Sequence, residues 1–163
     1  MRLSTSKNPI TALVTLSVIV TVGARADQTN DLTVGEPSEV APLLREMGAA
    51  ANAHDVERHV GFYAHDAAVT LIVNGEAIVG WEGIRDRQRD WWRNGKTDVV
   101  YQVQGKPDVR WLAPGIVVTT LFMTSTRTLP DGKPGEKNFA VSSIWQKRPE
   151  GWRVIYSHES TTH

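Results

Sequence analysis

The stretch "GWRVIYSHES", residues 151–160, decides most of what this chain is predicted to be. Every second residue is apolar or aromatic, so that Trp152, Val154 and Tyr156 share one face and His158 continues it. A period of two is typical of a strand with one buried face. We therefore predict a closing strand whose inward face ends in Tyr156 and His158, a phenol and an imidazole that can hydrogen-bond or move a proton.

Further long strands precede this one along the chain. They are predicted over residues 98–113, 116–129 and 139–147, with a polar hairpin loop over residues 130–138. Lys106 and Pro107 fall inside the first strand, where the proline cannot donate to the ladder, so we expect a bulge or bend there. The C-terminal half of the chain is thus predicted to form one antiparallel sheet.

Helical spacing replaces the strand pattern in the N-terminal half. An apolar stripe runs from Val40 to Ala51 behind Ser38, which is a good N-cap residue. A second, shorter helix is expected after Asp55, which is another residue type favoured at N-caps.

A small hairpin interrupts the helices. Asn74 and Gly75 predict a tight turn between two short strands. A third helix is predicted over residues 82–94, closed by Gly95. The order of elements predicts an α+β fold in which three N-terminal helices pack in a strongly curved antiparallel sheet, giving a cone.

Residues 1–26 have the pattern of an export signal. Their apolar run, residues 10–22, is shorter than the roughly 20 residues that a membrane span needs, and small residues lead up to a cleavage site at Ala26. We expect a polar tail over residues 27–37 and one domain over residues 38–160. The predicted location is periplasmic or secreted, with no membrane association once the signal is removed.

The composition limits the possible partners. The chain carries 18 Lys and Arg against 18 Asp and Glu, with no basic cluster, so nucleic acid is not an expected partner. It contains no Cys, so its stability must come from a packed core without disulfides. Neither a cofactor nor a metal is expected, because His54, His59 and His65 are not spaced as ligands on one helix face.

Three segments together carry a family resemblance. They are "FYAHDAAV" (residues 62–69), "GWEGIRD" (residues 80–86) and "SSIWQKRPEGWRVIYSHES" (residues 142–160). In this order they resemble the SnoaL-like, nuclear-transport-factor-2-like superfamily, nearest the branch that includes the association domain of calmodulin-dependent kinase II. The resemblance implies a cone-shaped fold with a pocket at its wide end, and it implies a homodimer.

The resemblance also allows a test for one reaction. The ketosteroid isomerase branch has a general-base Asp at the position that matches Leu71, and an oxyanion-binding Tyr in the region that matches residues 43–54. A hydrocarbon side chain cannot accept a proton, and no Tyr lies in that region, so isomerase chemistry of that type is not expected.

Aromatic residues are the remaining candidates for a binding site. Six Trp in a chain of 163 residues is a high number, and some of them are expected to line a cavity for a small apolar molecule. The predicted ligand-binding residues are Tyr63, Trp91, Trp92, Ser143, Trp145 and Trp152.

Three functions remain open at this point. The first is an exported domain that binds a small, largely apolar molecule without catalysis. The second is an acid–base enzyme of the lyase, cyclase, dehydratase or isomerase type that uses His158 and Tyr156. The third is an assembly module whose function is its homo-oligomeric surface.

Overall fold

A computed structural model describes residues 38–161. The predicted signal over residues 1–26 and the predicted tail over residues 27–37 lie outside these residues. Within the described range, no helix combines the length and the apolar character that a bilayer crossing requires.

Three helices are present, as predicted. They are α1 (Val40–Asn52), α2 (Val56–Val60) and α3 (Trp81–Trp91). Asp55 caps α2 as expected, because its side chain accepts a hydrogen bond from the backbone N–H of Arg58 at 3.1 Å.

Glu39, rather than the predicted Ser38, is the N-cap of α1. Its carboxylate does not cap the helix. It accepts hydrogen bonds instead from the Lys147 ammonium and the Trp152 indole, both at 2.7 Å. The start of α1 is therefore fastened to the last two strands of the sheet.

The third helix is shorter at its C-terminal end than the predicted range of residues 82–94. It stops at Trp91 because Arg93 and Asn94 adopt left-handed backbone angles, with φ of 51° and 54°, and Gly95 follows at 83°. This early stop gives the two neighbouring tryptophans, Trp91 and Trp92, different surroundings.

Six strands complete the fold. They are β1 (Thr70–Val73), β2 (Glu76–Val79), β3 (Val100–Ala113), β4 (Ile116–Thr128), β5 (Pro134–Arg148) and β6 (Gly151–Thr161). The predicted turn at Asn74 and Gly75 joins β1 to β2, with φ of 53° and 81°. The predicted irregularity in β3 also occurs, as a register shift between Gln104 and Asp108.

The predicted loop over residues 130–138 is wrong at its C-terminal end. β5 already begins at Pro134, and residues 134–138 pair with residues 124–128 of β4. Backbone hydrogen bonds carry this pairing, so it does not need the apolar side chains that the prediction relied on.

The strand order in the sheet is β2-β1-β6-β5-β4-β3. All neighbours are antiparallel except β1 and β6, which run parallel. The fold is α+β with a curved, open, six-stranded sheet, which confirms the predicted fold class. The sheet is mixed, however, whereas the prediction was a purely antiparallel one. A single apolar core joins the helices to one face of the sheet, and we call this face concave.

Candidate functional site

The last strand contains a bulge that determines which of its side chains face inward. Trp145 pairs with Val154 and Ile144 pairs with Tyr156, which leaves Ile155 as an extra residue in β6. One extra residue reverses the alternation of all that follow. Trp152 and Val154 face the core, and after the bulge the inward residues are Ser157 and Glu159.

The bulge overturns the predicted orientation of Tyr156 and His158. Both side chains lie on the convex face of the sheet, and His158 is exposed. Neither lines the cavity described below. The prediction assumed that side chains alternate regularly between the two faces from Trp152 onward. The extra residue, Ile155, moves every later side chain to the opposite face.

A cavity of about 150 Å³ lies between the helices and the concave face of the sheet. Most of its wall is apolar. These apolar residues include Leu44 and Met47 of α1, Leu71 and Val73 of β1, Leu121 and Met123 of β4, and Val141 of β5. Leu71, the position that the resemblance matches to a general base, is therefore part of a hydrocarbon wall.

A short series of hydroxyl groups lies at one side of the cavity. The Oγ atoms of Ser143 and Ser157 are 2.9 Å apart, and both serines are buried. Burial raises the pKa of Tyr63 to about 12, although a hydrogen bond with Ser157 acts in the opposite direction. Tyr63 is thus a neutral hydroxyl, able to donate a hydrogen bond to a carbonyl or an oxyanion.

His59 faces the same cavity from α2. Its Nδ1 lies 3.3 Å from the Met47 carbonyl oxygen, and its ring lies edge-on to Trp92 with centroids 5.1 Å apart. Burial lowers the pKa of His59 to about 4, more than the Met47 hydrogen bond raises it. The imidazole is therefore neutral near pH 7.

Glu159 is the acidic group of the site. Within residues 38–161 its carboxylate has no hydrogen bond and no ion pair. Burial raises the pKa of this carboxyl, whereas the positive charge of Lys137 acts to lower it. A carboxylate held without a partner in an apolar surrounding is typical of functional sites.

A wider chamber, which we call the vestibule, leads from the cavity to solvent and has a volume of about 350 Å³. Arg127 and Lys137 line it from neighbouring strands. Gly135 is also in its wall, where a side chain would meet Leu129, whose Cδ2 lies 2.5 Å from the position of a Cβ. The glycine thus leaves room for Leu129 beside the opening.

Three of the predicted binding residues line the cavity, namely Tyr63, Trp91 and Ser143. The other three are core residues and do not line this cavity. Trp92, Trp145 and Trp152 are each at most 5% exposed. Their indole N–H groups donate to Tyr101, Thr119 and Glu39 respectively, at distances of 3.0, 3.1 and 2.7 Å.

Sequence reasoning missed Glu159 and Tyr101. Glu159 fell on the predicted outward face of the closing strand, and nothing in the residue types marks the bulge that reverses it. Tyr101 lay in a predicted strand whose inward face could have been read from Val99, Tyr101 and Val103. That alternation was the available signal for Tyr101.

The three histidines within residues 54–65 have separate contacts. His54 Nε2 lies 2.7 Å from the Val99 carbonyl oxygen, His59 bonds the Met47 carbonyl, and His65 packs at a tilt against Trp81 with ring centroids 4.3 Å apart. In the part of the chain that the structure describes, no three His, Cys, Asp or Glu side chains are grouped closely enough to hold a metal ion.

Solved structures with the same fold are numerous. A protein from Xanthomonas campestris described as a calcium/calmodulin-dependent protein kinase II association domain has 23% identity and a TM-score of 0.65, with 78% of this chain and 89% of that chain covered. A nuclear-transport-factor-2-like superfamily protein from Salmonella enterica has 16% identity and a TM-score of 0.68, covering 77% and 90%. A ketosteroid isomerase-like protein from Erwinia carotovora has 16% identity and a TM-score of 0.63, covering 77% and 95%.

These likenesses confirm the predicted fold. The chain has the nuclear-transport-factor-2-like fold that the three sequence segments indicated. No family model and no curated protein matches the sequence. Because the identities are this low, the comparisons identify the fold alone, and a function has to be argued from the site.

Proposed function

We propose that this protein binds a small, largely apolar molecule in the cavity between its helices and the concave face of its sheet. The observation that carries the proposal is the make-up of the wall, in which hydrocarbon and aromatic side chains surround a few convergent polar groups, Tyr63, Ser143 and Glu159. This combination is typical of small-molecule sites. A partly open space of about 150 Å³ suits a group of roughly the size of one benzene ring.

Mass spectrometry of co-purifying molecules tests this proposal. We expect the folded protein to release a small apolar compound on denaturation, and Val141→Phe to reduce its amount because the larger side chain fills the cavity. Ile144→Phe is the matched control, since it enlarges a residue of the same strand whose side chain alternates to the opposite face. Equal retention by the two variants would contradict binding in the cavity.

Acid–base catalysis is a second candidate, favoured by the carboxyl of Glu159. This group has the raised pKa and the missing partner that a proton-transferring residue needs, and Tyr63 offers a neutral hydroxyl nearby. Both groups line the same cavity. The proposed chemistry therefore rests on Glu159 and Tyr63 instead of the convex pair Tyr156 and His158.

Turnover of any compound that binds would test this second candidate. We expect Glu159→Gln to reduce the rate by at least about a hundredfold and Tyr156→Phe to leave it unchanged. If both variants turn over the compound at the wild-type rate, the proposal of catalysis fails while the proposal of binding stands.

Assembly into a homodimer is proposed from the convex face of the sheet. Phe122 lies there on β4 and is 63% exposed, an unusual exposure for so large an apolar side chain in a sheet of this size. We expect the wild type to be a dimer by light scattering and Phe122→Glu to be a monomer. Val79→Glu, at a 59% exposed position on β2, is the control, and a dimer in both variants would exclude this surface.

The location is proposed from residues 1–26 alone. Their signal pattern supports export to the periplasm or the medium. Intact-mass measurement of the protein from its native host tests this, with cleavage after Ala26 as the expected result.

A further inference from the structure

The passage between cavity and vestibule has an unusual wall. Five residues line both spaces, and we call them the neck: Val73, Trp91, Tyr101, Phe139 and Glu159. Three of them are aromatic and one is the carboxylate without a partner. A molecule that extends from the cavity into the vestibule has to pass these side chains.

The carboxylate of the neck has only one cation acting on it within residues 38–161, the exposed Lys137, which lies beyond ion-pair distance. Glu159 has no hydrogen bond or ion pair within residues 38–161, and its burial disfavours the charged form. A cation placed beside it would restore part of the interaction that the carboxylate loses with water. The site is therefore electrostatically better suited to a positive group than to a neutral or negative one.

The aromatic rings of the neck also favour a positively charged ligand group. Tyr101 and Phe139 lie edge to face, with ring centroids 6.3 Å apart and an interplanar angle of 80°. Trp91 is 38% exposed and already has one cation near its ring, the Arg87 guanidinium carbon at 5.8 Å from the centroid. Aromatic faces attract cations, and Trp does so most strongly.

We propose that the neck binds an organic ammonium group, with Glu159 as its counter-ion, Trp91, Tyr101 and Phe139 around it, and the apolar body of the ligand in the cavity. This inference rests on the proposed function, because it names the chemical class of the molecule that the cavity holds. It adds a charge requirement that the apolar wall alone does not impose.

Two bases in the vestibule point to a different ligand, a carboxylic acid. Arg127 and Lys137 are both exposed, and neither makes an ion pair within residues 38–161. Water and salt screen such exposed charges. A carboxylate bound between them would lie near Glu159, a like charge that is less screened because it is half-buried, so the ammonium is favoured.

A matched pair of probes tests the inference. Phenyltrimethylammonium and tert-butylbenzene have the same shape and differ in charge, and their binding can be followed by chemical shifts in protein NMR spectra. We expect the wild type to bind the cation at least about tenfold more tightly than the hydrocarbon. Glu159→Gln should abolish this preference, and Glu159→Asp should retain part of it.

Further variants separate the contribution of the carboxylate to cation binding from that of the aromatic rings. Trp91→Leu should weaken binding of the cation about fivefold and change binding of the hydrocarbon less. Glu46→Gln, which removes an exposed carboxylate of α1 that lines neither space, is the control and should leave both affinities unchanged. Melting curves of each variant establish that it is folded.

The possible results distinguish this inference from the proposed function. Equal binding of the two probes would overturn the ammonium inference while supporting the cavity as an apolar site. A preference for the cation that survives Glu159→Gln would overturn the role of the neck carboxylate. Failure of both probes to bind would overturn the inference as well, and the co-purification experiment would then decide the proposed function by itself.

Discussion

The two halves of β6 differ in whether their inward-facing polar groups have hydrogen-bond partners. Before the bulge, at what we call the closed end, Trp152 is buried and its indole N–H donates to Glu39 at 2.7 Å. After the bulge, at the cavity end, Glu159 faces an apolar space with no partner among residues 38–161. One strand therefore contributes a fully satisfied core residue and, a few positions later, a carboxylate without a hydrogen bond or an ion pair within residues 38–161.

This contrast distinguishes stability from function within one strand. Buried polar groups are normally paired because an unpaired one costs free energy. A sequence optimised for stability alone would replace Glu159 by an apolar residue or give it a partner. Local departures of this kind are expected where binding or catalysis requires them.

The largest effect that tests the contrast is at the closed end. Trp152→Ala should lower the free energy of unfolding by about 3–5 kcal/mol, because it leaves a cavity and removes the donor to Glu39. Urea unfolding measures this value. His158→Ala on the exposed convex side of the same strand should change it by less than about 0.5 kcal/mol, and similar losses in both variants would remove the distinction.

The next effect concerns acid sensitivity at the cavity end. The folded protein keeps His59 neutral down to its pKa of about 4, whereas the unfolded chain takes up a proton near 6.5. Stability is therefore lost as the pH falls from about 6.5 to about 4, by roughly 3 kcal/mol. His59→Gln should remove this pH dependence.

Glu159 requires a control in that measurement. Its raised pKa acts with the opposite sign, because the folded protein binds this proton more readily than the unfolded chain. Unfolding in the Glu159→Gln background between about pH 6.5 and 5 isolates His59, because the carboxyl groups with lowered pKa values take up protons mainly below that range. If His59→Gln in this background leaves the change in the free energy of unfolding with pH unaltered, the imidazole is not the acid-sensitive group.

A smaller effect of opposite direction is expected for Glu159 itself. Glu159→Gln should stabilise the protein near pH 7 by about 1 kcal/mol, because it removes a half-buried charge that has no hydrogen bond and no ion pair within residues 38–161. The wild type loses stability as the pH rises from the ordinary carboxyl pKa of 4.5 through the raised folded pKa, so the gain should shrink in acid. Thermal melts at several pH values, with Glu46→Gln alongside, measure it. A loss of stability at pH 7 would show that the carboxylate has a partner.

The smallest expected effect lies in the hydroxyl series. Ser143→Ala removes the 2.9 Å contact with Ser157 and should cost about 0.5 kcal/mol, since Ser157 keeps its hydrogen bond with Tyr63. Differential scanning calorimetry can detect it. A cost above about 2 kcal/mol would indicate that Ser143 has a larger structural role than this one contact.

Much of the fold could be predicted because it depends on local chemistry. The turn at Asn74 and Gly75 needs positive φ angles, and the start of α2 needs the side-chain acceptor of Asp55. These requirements can be read from single residues. The resemblance of the three segments then supplied the arrangement of helices and sheet.

The site was less predictable because it depends on one extra residue. With or without a bulge at Ile155, the strand presents Trp152 and Val154 to the core, so the apolar pattern does not choose between the two registers. After that point one register turns Tyr156 inward and the other turns Glu159 inward. Only pairing with the neighbouring strands decides between them, and such long-range pairing is not visible in alternation.

The position of β6 in the sheet also has a consequence for synthesis. It lies between β1 and β5, so the strands from the two halves of the chain meet only through it. It is also the last of the six strands to leave the ribosome. The hairpin of β1 and β2 and the meander of β3 to β5 can form earlier, but each keeps an open edge until residues 151–161 arrive. A nascent chain thus exposes two unpaired sheet edges until its final strand closes both at once, which is the interval in which a chaperone would be most needed.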